Sequence, residues 1–197
     1  MTMVHADFAV SLASIMAHTA KHTSHQVFLI NEKSSLVTAA RNSLVRKALT
    51  HEVDAMLFLD SDMTFPADTL DRLWTRYTSI VGATYNKRAA PYTTLGTFPE
   101  APKPGQGGAL SATMLPAGCL MVAAHVFDLL PAPWFRETYE DEFRSDDNPD
   151  GVVGEDVNFC RAAIKAGFDI WCDLDLTFDP SMAHIGEQRI CVGRPKA

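Results

Sequence analysis

Two rhythms of apolar positions alternate along the chain. Residues 8–20 carry apolar side chains at helical spacing. Residues 34–49 do so again, at 36, 37, 40, 44, 45, 48 and 49. Short continuous apolar runs fall between and after them, at 27–30, 55–59, 80–82, 118–123 and 168–172. Runs of that length without a polar face predict buried strands. Residues 66–77 predict a third helix, with Pro66 in the first turn, where a missing N–H costs nothing. Residues 155–166 predict a fourth, ended by Gly167. No internal repeat is present. Helices and strands in alternation predict an α/β protein whose mostly parallel sheet is flanked by helices. Two stretches break the alternation. Residues 89–108 hold Pro91, Pro99, Pro102, Pro104, Gly96, Gly105, Gly107 and Gly108, and a loop of this length is a candidate lid or binding segment. Residues 131–151 form a second, acidic loop.

Composition narrows the class. The 197 residues are 47% apolar and 21% charged, which excludes a mainly disordered chain and suits one domain over 1–197 with a real core. Lys plus Arg number 17 and Asp plus Glu 24, so the net charge is 17 − 24 = −7. That argues against a surface that tracks nucleic acid throughout, while leaving room for a local basic site. The longest mostly apolar stretch, 115–127, is interrupted by Pro116 and His125 and falls short of the ~20 residues of a membrane span. The four cysteines, 119, 160, 172 and 191, form no Cys-x-x-Cys pair, so neither a zinc knuckle nor a disulfide framework is expected. Reduced thiols in a cytoplasmic protein are the expectation. His5 and Asp7, rather than basic residues, stand at the first apolar segment, against a secretory signal.

The chemistry-bearing residues begin with Asp60 and Asp62, which follow the apolar run 55–59. The carboxyl end of a buried strand is where open α/β sheets bind ligands. If the chain stays extended, residues two apart point the same way, and the two acids converge. If it turns, they split between two ligand groups. Paired carboxylates repel unless a cation intervenes, and hard oxygen donors suit Mg²⁺ or Mn²⁺. The competing explanation is a polar turn that opens the next helix.

Arg41 follows Val37 by four and precedes Leu44 by three and Ala48 by seven, so it sits on the apolar face of its helix. A buried guanidinium needs an anion: a diphosphate, or one of the two acids. Otherwise it snorkels from the edge of the stripe. Asn42 adds a hydrogen-bonding group beside it. Glu155 and Asp156 open a helix, where acids complement the dipole. Asp156 shares a face with Cys160 and Ala163, so it can also point inward as a general base. His184 is either an ordinary polar residue or a nitrogen ligand that favours Mn²⁺. Lys87 and Arg88 follow a strand and either neutralise phosphate or form a solvated turn. Gly118 permits close approach of a sugar or backbone, or simply turns. Trp134, in Pro133-Trp134-Phe135, is a stacking platform for a sugar or a loop anchor. His18, His22 and His25 would share a helix face, yet no acid or cysteine lies near them in sequence, so a solvated helix end is expected rather than zinc.

In order, the segments SSLVTAARNSLV (34–45), LFLDSDMTFP (57–66), IVGATYNKR (80–88), LPAGCLMV (115–122), PWF (133–135), GEDVNFCRAAIKAGFDIWCD (154–173) and HIGE (184–187) resemble small bacterial and phage glycosyltransferases of the GT-A fold, in the broad family-2-like group. The resemblance implies a Rossmann-like GT-A domain. It implies transfer of a sugar from a nucleoside diphosphate sugar, UDP- or GDP-type, to an acceptor hydroxyl on a glycan, lipid, protein or modified phage DNA base. It makes Asp60 and Asp62 the metal motif for Mn²⁺ or Mg²⁺, with Asp62 the direct ligand and His184 the distal one. Asp156 becomes the base of an inverting reaction, with Glu155 beside it. Arg41 faces the donor nucleotide or its phosphates, and Gly118 lines the sugar or acceptor pocket. Family members open with an apolar strand that cradles the base. Here Met1-Thr2-Met3-Val4-His5 leads almost directly into a helix, so that strand is expected to be missing or shortened. Two rivals share the same residues. One is a metal-dependent phosphatase or nucleotidyltransferase, since Asp60-Ser61-Asp62-Met63-Thr64 also fits the Asp-x-Asp-x-Thr of aspartyl-phosphate enzymes. The other is a degenerate homologue that binds nucleotide or sugar without turnover.

Overall fold

A computed structural model describes residues 4–87, 94–103 and 105–185. The helices are α1 (Ala6–His22), α2 (Val37–Leu49), α3 (Thr69–Trp74), α4 (Ala124–Leu129), α5 (Glu155–Lys165) and α6 (Leu174–Thr177). The strands are β1 (Ala55–Leu59), β2 (Met63–Thr64), β3 (Ile80–Gly82), β4 (Ala109–Ala112), β5 (Cys119–Ala123), β6 (Thr138–Tyr139), β7 (Val152–Val153), β8 (Ile170–Asp173) and β9 (Ala183–His184). Five of them form the central sheet in the order β1-β5-β3-β8-β4.

The alternation along β1 explains the layering. Met56 and Phe58 point to one face, Leu57 and Leu59 to the other. On the first face they join Val45 and Ala48 of α2, Val126 and Phe127 of α4, and Phe159, Cys160 and Ala163 of α5. On the second, Leu57 and Leu59 pack with Ile15 of α1, Leu73 of α3, Met63 and Phe65. The sheet is thus covered on both faces, and its inner strand β5, between β1 and β3, is buried over Cys119 to Val122. Gly167 ends α5 with φ +91°, the left-handed turn expected there.

The mixed α/β class stands, but the sheet is mostly antiparallel. β5 runs antiparallel to β1 and to β3, β4 runs antiparallel to β8, and the β3–β8 pair is the parallel one. A strand buried on both faces reads as a continuous apolar run whichever way it points, so its direction is not written in its composition. The predicted strand 27–30 does not form. Residues 23–36 hold no helix or strand, and Phe28 and Leu29 lie 57% and 64% exposed. Helix 66–77 shortens to α3. The acidic loop 131–151 instead contributes β6, which pairs with β7 to form a two-stranded ribbon. In the described parts of 89–108, isolated bridges join Asn86 to Thr94 and Thr97 to Met114 ahead of β4; 89–93 and 104 lie outside the described residues. Cys119, Cys160 and Cys172 are buried free thiols. No described helix is long and apolar enough to cross a membrane.

Candidate functional site

At the carboxyl end of β1, the Asp60 N–H donates to the Gly118 carbonyl at 3.0 Å, and the Asp60 carbonyl accepts from the Met63 N–H at 3.3 Å. The chain therefore turns at once, and Asp60 and Asp62 part company. Asp60 enters a cleft of about 340 Å³ lined by Val37, Arg41, Asp60, Tyr85, Lys87, Leu95, Pro116, Ala117, Glu155, Asp156 and His184. Asp62 continues toward β2, and its carbonyl accepts from the Ile185 N–H at 2.8 Å. β2 pairs with β9, placing Met63 opposite His184. A segment from near the end of the described chain is thereby stitched beside the acidic turn.

Arg41 is 8% exposed and has found its anions. Its Nη2 donates to Asp60 Oδ1 and Oδ2 at 3.1 and 3.3 Å, while Nη1 donates to Glu155 Oε1. Its guanidinium carbon also lies 5.9 Å from the centre of the Phe135 ring. It does not snorkel; it clamps the turn after β1 to the first turn of α5. Glu155 is thus fixed as Arg41's partner. Asp156, next along α5, accepts from the Val157 N–H at 2.8 Å and lines the cleft. Burial, and then the charge of Glu155, raise its carboxyl above the usual Asp range.

Tyr85, which the sequence reading passed over, occupies the cleft wall. It is 7% exposed, and its oxygen accepts from the Gly118 N–H at 3.1 Å. Its ring meets His184 edge-on, with centroids 4.9 Å apart. The available signal was position: Tyr85 stands just past β3, at the same sheet end as Asp60. Gly118 has a structural reason to lack a side chain, because a Cβ there would lie 2.1 Å from Tyr85 Oη and 2.8 Å from Asp60 Oδ2.

Two candidate ligand groups turn out to be fasteners. Asn42 is 6% exposed, and its amide is spent on backbone, donating to the Thr38 and Phe135 carbonyls and accepting from the Phe135 N–H. Trp134 donates its indole N–H to the carbonyls of Phe127 and Leu130 and packs edge-on against Phe127, so it anchors its loop rather than offering a sugar platform. Lys87 is exposed at the cleft; Arg88 lies outside the described residues. His18 Nε2 lies 3.0 Å from Asp71 Oδ2, and His25 packs on Trp74, so these two contacts join α1 and its exit to α3, while Lys21 and His22 at the helix end stay exposed as expected.

For a divalent cation, Asp62 and His184 offer one oxygen and one nitrogen donor, Asp62 in the turn just before β2 and His184 on β9, the strand that pairs with β2. Both Asp60 oxygens already face Arg41. No group of three or more His, Cys, Asp or Glu side chains is arranged around a common point among the described residues. A cation held by two protein donors leaves its other positions to phosphate and water oxygens, the manner in which Mg²⁺ is bound with substrate phosphates.

No family model and no curated protein matches the chain. Solved structures do match, among them the crystal structure of A197 from STIV, which is similar with a TM-score of 0.50 over 93% of this chain and 92% of that one, at 12% identity. At that identity the likeness shows a shared fold, a helix-flanked mixed sheet, and nothing of the chemistry.

Proposed function

We propose that the cleft is the donor site of a metal-dependent glycosyltransferase, moving a sugar from a nucleoside diphosphate sugar to an acceptor hydroxyl with inversion. One observation carries this reading. Arg41, Asp60, Tyr85, Lys87, Asp156 and His184 come from five separate segments, Tyr85 and Lys87 sharing the one after β3, and meet in one cleft at a sheet end. Three carboxylates, Asp60, Glu155 and Asp156, face two permanent cations, Arg41 and Lys87, among the described lining residues. A diphosphate entering such a site needs further positive charge. Asp62 and His184 are the residues that would hold Mn²⁺ or Mg²⁺, which would supply positive charge to the leaving diphosphate.

Asp156 takes the chemical step. Its carboxylate accepts the proton of the acceptor hydroxyl as that oxygen bonds to the anomeric carbon. The bond from the anomeric carbon to the diphosphate oxygen breaks, and the electron pair leaves with the diphosphate. Arg41 keeps Glu155 and Asp60 in place, and Lys87 meets phosphate charge at the mouth.

A thermal-shift screen of nucleoside diphosphates with and without Mn²⁺ tests the reading. A shift that requires both supports it and identifies the base, because a ligand bound to the folded state alone raises the melting point. No shift with any nucleoside diphosphate overturns it. Phosphate release from simple monoesters, lost in Asp60→Asn, favours the phosphatase rival. Binding without transfer or donor hydrolysis under any metal favours the degenerate homologue.

A further inference from the structure

Within the cleft, one buried hydroxyl makes no hydrogen bond through its proton among the described residues. Tyr85 is held from both sides by backbone: the Ala83 N–H donates to the Cys119 carbonyl at 3.0 Å, and the Tyr85 carbonyl accepts from Leu95 at 2.7 Å. Its ring is fixed against His184. Its oxygen accepts from the Gly118 N–H, and its own O–H makes no hydrogen bond to a described residue, although Asp60 Oδ2 borders the same corner of the cleft. A phenol keeps its O–H in the ring plane, so accepting on one side leaves the proton for the other. A hydroxyl in a 7% exposed residue with its proton unspent is costly unless something arrives to take it. Among the described cleft-lining residues it is also the one hydroxyl.

We infer that Tyr85 is a ligand-binding residue whose hydroxyl donates to an anionic phosphate oxygen seated between Asp60 and His184. The inference rests on the donor-site reading and deepens it by naming the group that reads the diphosphate. The choice of phosphate follows from the donor-site reading: Lys87 and the proposed cation would offset the charge of the cleft carboxylates, and Tyr85 adds a neutral donor that leaves the Arg41 clamp undisturbed.

Calorimetry on wild type and Tyr85→Phe, with UDP, GDP and inorganic pyrophosphate in Mg²⁺, tests it. The expected result is a loss of affinity of about 10- to 100-fold for each phosphate ligand, the worth of a hydrogen bond to a charged group. Equal affinity in the two proteins overturns the inference. So does a loss confined to UDP and GDP with pyrophosphate unaffected, which would place the contact on the nucleoside. If wild type binds none of the three, the donor-site reading itself fails, which is a separate outcome.

A second measurement does not depend on the variant's stability. In wild-type protein labelled with 3-fluorotyrosine, the Tyr85 resonance, assigned by elimination among four tyrosines, must move when pyrophosphate and Mg²⁺ are added. A resonance that stays still while calorimetry reports binding counts against the contact.

Discussion

Gly118 is the residue on which two others depend. Its N–H holds Tyr85, its carbonyl holds the Asp60 N–H, and its missing Cβ makes room for both side-chain oxygens. Gly118→Ala puts a methyl 2.1 Å from Tyr85 Oη, inside any real contact. It is expected to cost about 1–3 kcal/mol in urea unfolding, as overpacking does, and to abolish the metal-dependent nucleotide shift. Arg41→Met removes the partner of a mostly buried Glu155. It is expected to lose about 3 kcal/mol in the same measurement, because the carboxylate is left uncompensated. Arg41's burial was legible from its helical spacing. Its partners were not, since Glu155 lies 114 positions away. Asn42 and Trp134 were misplaced for a related reason. Their polar groups satisfy the backbone at Phe127, Leu130 and Phe135. A sequence does not reveal which buried carbonyls lack a ladder partner.

At the scale of elements, α5 was legible from its acidic start, its apolar face and its terminal glycine, and its first turn carries the proposed base. The sign of its pH dependence follows from the raised Asp156 carboxyl. Folding favours the protonated acid, so that contribution is full below the ordinary Asp value of about 3.9 and is lost as pH rises through the raised one. At pH 7 the ionised carboxylate is a liability of the folded state. Asp156→Asn is therefore expected to melt above wild type at pH 7, with the gap closing as the pH approaches about 4, while sugar transfer falls by about 10²- to 10⁴-fold. Melting curves at several pH values check the first half, and an unchanged or lowered melting point at pH 7 contradicts it. The strand expected at 27–30 failed for a different reason. Four apolar residues qualify as a strand only if a neighbour accepts them, and the structure leaves Phe28 and Leu29 facing outward. Leu29→Ser is accordingly expected to shift urea unfolding by less than about 0.5 kcal/mol.

Across the whole molecule, the cleft joins α2, the turn after β1, the segment after β3, α5 and β9. The core of the fold and the site thus separate differently along the chain. The five-stranded sheet ends with β8 at Asp173, whereas His184 and the β2–β9 ribbon come after it. Thr64 Oγ1 donates to the Ser181 carbonyl, β9 pairs with β2, and Met182 is buried against the second apolar cluster, so these contacts fasten the late segment to the sheet from outside it. Ending the chain after Pro180 is expected to leave the sheet folded, with a near-unchanged far-UV spectrum, and to cost about 1.5–3 kcal/mol for the lost Met182 burial. His184→Ala in the full chain keeps Met182 in place and separates the two effects. Both proteins are expected to lose the Mn²⁺-dependent nucleoside diphosphate shift, the truncated chain together with stability and the point variant largely without it. If His184→Ala retains the full Mn²⁺-dependent shift, the late segment is a structural clasp and the cation is held elsewhere in the cleft.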